Sequence, residues 1–307
     1  KKVIVPDELF ELPELPRSMV IVGGGVIGCE YASIYALAGI AVTVVDQRTD
    51  LLRFLDSEIR DACVAEMKRN GVTFGLGQRV ESIDIPPEGP VAVRLAGGET
   101  LEAELVMTAA GRAGNVASLD LAAAGLTADE NGRIEVDASF RTGVPHIFAV
   151  GDVVGFPSLA SAATEQGRVA AATAADRRPA PLPESLPIGI YTVPEMAAVG
   201  KTEDQLRDAR VDYVASRARW TDISRGHITG DEVGMLKLLW RSDTRQILGV
   251  HIVGEGASEL IHLGHAVMSL GGTIDYFVES VFNYPTLAQA YKVAVEGIPT
   301  RPSNAGS

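Results

Sequence analysis

The segment MVIVGGGVIGCE, residues 19–30, constrains the fold of this chain more than any other stretch. A short β-rich run leads into the glycine-rich turn Gly23-Gly24-Gly25-Val26-Ile27-Gly28, and a helical pattern follows over about 27–39. The glycines of such a GxGxxG turn let the backbone approach a pyrophosphate, while the helix N-terminus supplies amide donors for the phosphates. We therefore predict a dinucleotide-binding βαβ unit and call the turn the phosphate loop.

A second β-rich run, VTVVD, ends in Asp46, 18 residues after Gly28. A carboxylate at this position accepts hydrogen bonds from the adenine ribose hydroxyls and favours NAD, because its charge repels a 2′-phosphate. Arg48 follows two residues later and Arg53 is near. An arginine there either accommodates the 2′-phosphate of NADP or is a solvated loop residue, so the choice of nucleotide stays open.

The pattern of short elements predicts an α/β domain in the first part of the chain. Strands at 19–23, 42–46 and 105–109 alternate with helices at about 27–39 and 56–70, which is typical of a parallel sheet. The stretches RVESIDI and VAVRLAGGETLEAEL predict a small antiparallel meander with its turn at Gly97-Gly98. A further strand, HIFAVGD, is predicted before a helix that starts near residue 159.

A proline-rich linker at 180–187 separates this part from an α+β pattern. Strands are predicted at about 211–219, 234–240 and 247–253, and helices at about 256–270, 273–281 and 286–296.

Composition excludes several classes of protein. The net charge of −13, with no run of Lys or Arg, argues against a nucleic-acid or anionic-membrane surface. Only two cysteines occur, Cys29 and Cys63, and no apolar segment has the form of a signal peptide or a membrane span. We therefore expect a cytoplasmic protein, with no nucleic acid and no membrane among its partners.

Five motifs stand in the order found in the pyridine nucleotide–disulfide oxidoreductase family, and together they cover residues from about 8 to 296. They are GVIGCE, AAGRAGN, AVGD, YTVPEMAAVGKTE and FNYPT. The chain resembles this family, which implies a Rossmann-like NAD(P)-binding α/β domain, a returning FAD-domain segment and an α+β interface domain that forms a homodimer.

The resemblance also implies roles for particular residues. The phosphate loop would cradle NAD(P), Glu30 would lie at the boundary of nicotinamide and flavin, and Gly111-Arg112 would close the nucleotide site. Val80 is assigned to the same cofactor-binding set. For Glu30 the alternative is an ordinary carboxylate near a helix N-terminus, which the helix dipole favours.

The flavin would be held by the second family segment. Gly151-Asp152 would contact the ribityl chain of FAD, and the run Ser158-Leu159-Ala160-Ser161 would begin a helix whose N-terminus faces the flavin pyrimidine.

Family members begin with an FAD-binding lobe that has its own GxGxxG and, in most members, a redox-active cysteine pair. This chain has one GxGxxG and no such pair. We therefore expect residues 1–16 to be the remnant of a linker from that lobe, 17–136 the NAD(P)-binding domain, 137–186 the returning FAD segment with its linker, and 187–300 the interface domain. The chain by itself is expected to be inactive.

The motif FNYPT favours one branch of the family. In disulfide-reducing members a histidine precedes the Pro-Thr pair and a glutamate follows it, whereas this sequence has Tyr284 and Gln289. An unperturbed tyrosine, with a pKa near 10, is poorly suited to the proton transfer that a dithiol needs. The resemblance is therefore to the transhydrogenase branch, in which FAD carries hydride between NADPH and NAD⁺ at one nucleotide site. Glu30 and Tyr284 are the candidate catalytic residues.

Three alternatives remain at this stage. They are a dihydrolipoyl dehydrogenase-like disulfide reductase, a diaphorase of relaxed acceptor choice, and a non-enzymatic, dimeric NAD-binding module. We predict no metal site, because Glu259, His262 and His265 on one helix are more typical of a surface or an interface than of a metal centre.

Overall fold

The computed structural model describes residues 1–183 and 185–299. Glu184, within the predicted linker, and residue 300, at the end of the predicted interface domain, lie outside the described residues. The described strands are β1 (Val3–Ile4), β2 (Ser18–Val22), β3 (Ala41–Asp46), β4 (Thr73–Leu76), β5 (Val80–Asp84), β6 (Val91–Leu95), β7 (Thr100–Ala103), β8 (Leu105–Thr108), β9 (Ile188–Ile190), β10 (Met196–Gly200), β11 (Tyr213–Arg219), β12 (Met235–Arg241) and β13 (Ile247–Val253). The described helices are α1 (Val26–Leu37), α2 (Ser57–Arg69), α3 (Ala160–Ala174), α4 (Glu203–Asp208), α5 (Ser224–Thr229), α6 (Ala257–Ser269), α7 (Asp275–Glu279) and α8 (Gln289–Ala294).

The chain folds into two compact units. The first unit combines Lys1–Ala110 with the chain from Pro187 onward, and the second is Gly111–Leu186. The predicted nucleotide-binding elements and the C-terminal α+β elements therefore share one unit.

A five-stranded parallel sheet, in the order β1-β8-β2-β3-β4, forms the nucleotide-binding half of the first unit. Its central strand β2 is buried along Met19, Val20 and Ile21, as expected for a parallel strand covered on both faces. β2 and β3 run parallel and in register, so their carboxyl ends lie at the same edge of the sheet. This edge brings the phosphate loop next to Asp46, and the predicted α/β alternation is confirmed.

The antiparallel meander is also confirmed. β5, β6 and β7 form a three-stranded sheet, and the chain reverses between β6 and β7 at Gly97-Gly98. Gly98 has a φ of +86°, a conformation that glycine adopts without steric cost.

A second five-stranded sheet, in the order β11-β12-β13-β10-β9, forms the other half of the first unit and is antiparallel. The predicted strands β11, β12 and β13 and the predicted helix α6 are present within two residues of their expected ends. The sequence did not reveal β9 and β10, because β9 has three residues and β10, MAAVG, is rich in alanine, which is not a strong strand former.

Two predicted helices are shorter than expected. The helix expected over 273–281 is α7, Asp275–Glu279, and the helix expected over 286–296 is α8, Gln289–Ala294. Around α8 the backbone tightens into three-residue turns, with Ala290 N bonded to Leu287 O and Ile298 N bonded to Val295 O. The apolar pattern continues through such turns, but the regular α-helix does not.

In the second unit the predicted helix is present as α3, but the predicted strand HIFAVGD is wrong. Phe148 makes only an isolated bridge to Arg141, and Gly151–Val154 form a 3-10 turn. Thr142 N donates to Ile147 O and Ala149 N donates to Phe140 O, so this segment pairs with the residues 140–142 that precede it. No other strand of the described chain pairs with it, and an apolar run without a neighbouring strand does not form a sheet.

None of the helices in the described residues is both long enough and apolar enough to span a membrane.

Candidate functional site

The phosphate loop is shaped by two glycines that no other residue could replace without a clash. A Cβ atom at Gly23, whose φ is +113°, would lie 2.4 Å from the carbonyl oxygen of Ala109, and a Cβ at Gly28 would lie 1.9 Å from the carbonyl oxygen of Gly23. A Cβ at Gly25 would meet no atom within 4 Å. The first and last glycines therefore pack helix against strand, while the middle glycine faces open space through which a phosphate can approach.

Helix α1 presents its first turn to this space. Its N-cap is Gly25, which has no side chain to satisfy the free amides of the turn. Uncapped amides at the positive end of a helix of this length bind anions, so the loop has the geometry expected of a pyrophosphate site.

Asp46 braces the phosphate loop from the end of β3. Its side chain is buried, the whole residue being 7% exposed, and its Oδ2 accepts a hydrogen bond of 2.7 Å from Gly24 N. Arg48 donates to the same carboxylate from Nε to Oδ1 at 2.9 Å, from Nη2 to Oδ2 at 2.6 Å and from its backbone N to Oδ1 at 2.8 Å. Burial raises the pKa of Asp46, but the hydrogen bonds from Arg48 and Gly24 outweigh it and lower the pKa to about 2.

Asp46 and Arg48, which the sequence presented as two alternative determinants, are therefore one ion pair. Both carboxylate oxygens already accept hydrogen bonds, while the Arg48 side chain keeps 50% of its surface exposed. Ribose hydroxyls can reach the carboxylate only when Arg48 gives up part of this contact, and a 2′-phosphate can draw the guanidinium toward itself.

Glu30, on α1, holds the segment that follows β9. Its Oε1 accepts a hydrogen bond of 2.8 Å from Tyr191 N, and Ser33 Oγ accepts one of 3.1 Å from Val193 N. Glu30 is thus engaged with the C-terminal half of the unit, and its placement beside nicotinamide and flavin stays a prediction.

Val80 begins β5 and packs, half-buried, against the apolar cluster that contains Val20 and Val45. Its predicted cofactor contact is not tested by this packing and stays a prediction.

The second unit carries the other group of predicted site residues. Arg112 and Asp152, both largely exposed, lie 3.8 Å apart from Nη1 to Oδ2, just after Gly111 and Gly151 respectively. Gly151 N donates to Gln166 Oε1 of α3 at 2.7 Å, which fixes the turn before Asp152.

Helix α3 begins without a capping side chain. Its N-cap is Leu159, and Ser158 Oγ donates to Gly155 O at 3.3 Å instead of accepting from the helix. The first turn, which includes Ala160 and Ser161, therefore offers backbone amides to a polar ligand, and Asp152 in the same unit offers an exposed carboxylate.

Tyr284 is 64% exposed, and its hydroxyl forms a hydrogen bond with Ser224 Oγ at the start of α5. Gln289 Oε1 accepts from Thr286 N at 3.5 Å. Tyr284 and Gln289 are thus each held by another partner, and neither side chain is a carboxylate or an imidazole.

Comparison with known proteins agrees with this geometry. The profile of a family described as pyridine nucleotide-disulphide oxidoreductase matches residues 2–167, and the profile of the dimerisation domain of that family matches residues 186–295. The chain belongs to the pyridine nucleotide-disulphide oxidoreductase family. The family predicted from the five motifs is confirmed, and so is the fold of a Rossmann-like α/β domain with an α+β dimerisation domain.

Curated relatives in this family carry the name soluble pyridine nucleotide transhydrogenase. The protein from Mycobacterium bovis (strain BCG / Pasteur 1173P2) is 46% identical over 294 residues, which cover 96% of this chain and 63% of the relative. The protein from Colwellia psychrerythraea is 44% identical over 297 residues, covering 95% of this chain and 64% of the relative. The chain thus spans less than two thirds of the length of these relatives.

Solved structures show the same fold. LpdA from Mycobacterium tuberculosis superposes with a TM-score of 0.87 at 27% identity, covering 94% of this chain and 62% of that one. The Cu(II) complex of the HOCl-induced flavoprotein disulfide reductase RclA from Escherichia coli has a TM-score of 0.91 at 26% identity, covering 97% and 67% respectively.

The two cysteines do not supply the dithiol chemistry for which the family is named. Cys29 and Cys63 are both free and buried. Burial raises the pKa of Cys29 to about 12 and that of Cys63 to about 11, so both are thiols at neutral pH and poor nucleophiles. In the described part of the chain no three His, Cys, Asp or Glu side chains come together in a group that could hold a metal ion.

Sequence reasoning missed a cluster of charges beside the nucleotide-binding elements. Lys237 lies in the middle of β12 and is 1% exposed, with its Nζ bonded to the buried Asp56. The signal available in the sequence was a single lysine inside the apolar run GMLKLLW, where a charge is tolerated only when it is paired.

Proposed function

We propose that the protein acts as an FAD-dependent transhydrogenase that exchanges hydride between NADPH and NAD⁺. The observation that carries this proposal is the Asp46–Arg48 ion pair beside the phosphate loop. One nucleotide site that contains both a carboxylate and a half-exposed guanidinium can accept either nucleotide, as an enzyme that uses both in turn requires. The names of the relatives, at 44–46% identity, support the same activity.

The residues of this chain bind and orient the nucleotide in this proposal. The phosphate loop and the first turn of α1 hold the pyrophosphate, with Gly25 as the point of closest approach. Asp46 accepts bonds from the ribose hydroxyls of NAD(H), and Arg48 turns from Asp46 to the 2′-phosphate of NADP(H). Glu30 keeps α1 in place against Tyr191 N.

The flavin would be contacted by Asp152 and by the uncapped start of α3, whose polar groups fit a ribityl chain and an electron-rich ring edge. When bound, FAD supplies an acceptor that takes hydride from one nicotinamide and returns it to another. We retain 17–136, 137–186 and 187–300 as the proposed functional division of the chain, with Val80, Gly111 and Arg112 assigned to the cofactor-binding set.

A disulfide reductase is the second candidate, since RclA is named as one. Tyr284 and Gln289 oppose it, because the family's proton-transferring histidine and glutamate are replaced and both thiols of this chain are buried. A diaphorase would share the nucleotide site and differ only in its acceptor.

We also propose a homodimer and a cytoplasmic location. The dimerisation-domain match over residues 186–295 supports the dimer, and Leu270, Tyr276 and Val281 in that region are exposed. The free, buried cysteines support a reducing compartment.

The test is a pair of assays on a form that includes an FAD-binding lobe and is reconstituted with FAD. Hydride transfer from NADPH to thio-NAD⁺ is expected, and oxidation of dihydrolipoamide is not. Robust turnover of dihydrolipoamide would replace the transhydrogenase proposal with the disulfide reductase, and activity with quinone or dye acceptors alone would favour the diaphorase.

A further inference from the structure

A group of charges, of which Lys237 and Asp56 are buried, joins the predicted nucleotide-binding half of the first unit to its C-terminal half. Lys237 Nζ lies 2.8 Å from Asp56 Oδ1, 3.0 Å from Glu58 Oε2 and 2.5 Å from Glu203 Oε2. Arg217 Nε donates to Glu58 Oε1 at 2.7 Å. We call these five side chains the Lys237 cluster.

The Lys237 cluster contains two cations, Lys237 and Arg217, and three carboxylates. Burial lowers the pKa of Lys237, but its hydrogen bonds to Asp56 and Glu203 outweigh this and raise the pKa above its ordinary value, so the lysine is charged. Tyr213 OH donates to Glu203 Oε1 at 2.9 Å. Removing Lys237 would leave the buried Asp56 without the lysine to which it is bonded, while Arg217 would still pair with Glu58 and Glu203.

Asp56 accepts hydrogen bonds from backbone amides at the start of two helices. Its Oδ1 accepts from Glu58 N at 3.2 Å, which caps α2, and its Oδ2 accepts from Glu203 N at 3.1 Å, at the start of α4. Lys237 thereby fixes a residue that anchors both halves of the unit.

Asp56 also ends the loop that carries Arg48. The segment 47–55 runs from Asp46 to Asp56, and its leucines Leu51, Leu52 and Leu55 are buried. A Cβ at Gly24 would lie 2.2 Å from Leu51 Cδ2, so this loop packs directly on the phosphate loop. One end of the segment is held by Asp46 on Gly24 N, and the other by Asp56 on Lys237.

We propose that Lys237 and Asp56 are positioning residues for the adenosine end of the nucleotide. They hold the C-terminal end of the segment 47–55. This anchoring fixes the position from which Arg48 binds a 2′-phosphate. Lys237 belongs to the dimerisation-domain sequence, so this region adjusts nucleotide selection without touching the nucleotide. The inference rests on the proposed nucleotide site.

The experiment measures the adenosine subsite directly, in the purified chain. Binding of 2′,5′-ADP and of 5′-ADP is followed by calorimetry, and hydrogen exchange is followed over residues 47–58. The variants are Lys237→Met, Lys237→Arg and Glu203→Gln, the last of which keeps the Lys237–Asp56 contact and serves if Lys237→Met does not fold. Asp275→Asn is the matched control, because its carboxylate pairs with the half-buried Arg245 at 2.6 Å and does not touch the loop.

Lys237→Met is expected to speed exchange in residues 47–58 and to weaken 2′,5′-ADP binding by between about twofold and 30-fold, the range of indirect coupling through a packed network. Binding of 5′-ADP should weaken less, because it does not use Arg48. Lys237→Arg should retain most of the wild-type affinity for 2′,5′-ADP. Glu203→Gln should lose less affinity than Lys237→Met, and Asp275→Asn should lose none.

Equal losses for both probes, or unchanged exchange over 47–58 in Lys237→Met and Glu203→Gln, would overturn the positioning role while leaving the nucleotide site intact. Failure of the wild-type protein to bind either probe would instead refute the proposed nucleotide site itself.

Discussion

Two aspartates stand at the two ends of the segment 47–55, and each pairs with a cation. Asp46 is nearly buried, but its partner Arg48 is half exposed. Asp56 is 0% exposed and its partner Lys237 is buried as well. A cation with access to solvent can exchange its carboxylate for a ligand, whereas a fully buried cation cannot leave its carboxylate without a large free-energy penalty.

The buried Asp56–Lys237 pair should therefore contribute most to the stability of the fold. Lys237→Met is expected to lower the free energy of unfolding by about 3–5 kcal/mol, because it leaves the buried Asp56 carboxylate without its cation. Urea denaturation monitored by circular dichroism measures this loss. Lys237→Arg, which keeps the charge, should lose less, and a Lys237→Met variant as stable as the wild type would show that the two pairs do not differ.

The Asp46–Arg48 pair should contribute most to nucleotide binding. Asp46→Ala is expected to weaken NADH binding by about 1–3 kcal/mol, the scale of lost hydrogen bonds to a charged group, while NADPH binding is spared or improved. Fluorescence titration with both nucleotides checks this. Arg48→Ala is the reciprocal control and should weaken NADPH selectively, and equal losses for both nucleotides in Asp46→Ala would contradict the assignment.

The smallest expected effect is a dependence of stability on pH that arises from the Asp46 carboxylate of the Asp46–Arg48 pair. The pKa of Asp46 falls from an ordinary 3.8 to about 2 in the folded protein, so its contribution is complete above about pH 4 and is lost as the pH falls toward 2. The stability difference between the wild type and Asp46→Asn should narrow by about 1 kcal/mol between pH 7 and pH 3. Urea denaturation at both pH values tests the sign, and a constant difference would mean that Asp46 has an ordinary pKa.

Part of the candidate site was predicted from the sequence. The phosphate loop, Asp46 and Arg48 were identified from the sequence, because a strand, a glycine turn and a helix lie together along the chain. The relation between Asp46 and Arg48 was left open, since spacing alone does not show whether a guanidinium faces a neighbouring carboxylate or solvent. Asp56 and Lys237 were missed, because they are 181 positions apart in the chain.

The difference between local sequence pattern and distant partners also explains why the strand predicted at HIFAVGD is wrong. Its run of apolar residues predicts an extended segment, but a strand needs a second strand to accept its hydrogen bonds. In the described residues that segment forms only an isolated antiparallel bridge, from Phe148 to Arg141. Conversely, β10 was missed although it lies inside a sheet, because its alanines carry little of the propensity that the sequence can display.

By itself, the sequence determined the local backbone: the turn that only glycines can make at Gly23 and Gly28, the buried strand β2 before it, and the motifs that place the chain in its family. The tertiary structure decided which charges meet. It placed Glu30 on Tyr191 N and Lys237 on Asp56, contacts that span 161 and 181 positions. The physical reason is that conformational preference acts over a few neighbouring residues, whereas the energy of a buried charge depends on partners brought to it from distant parts of the chain.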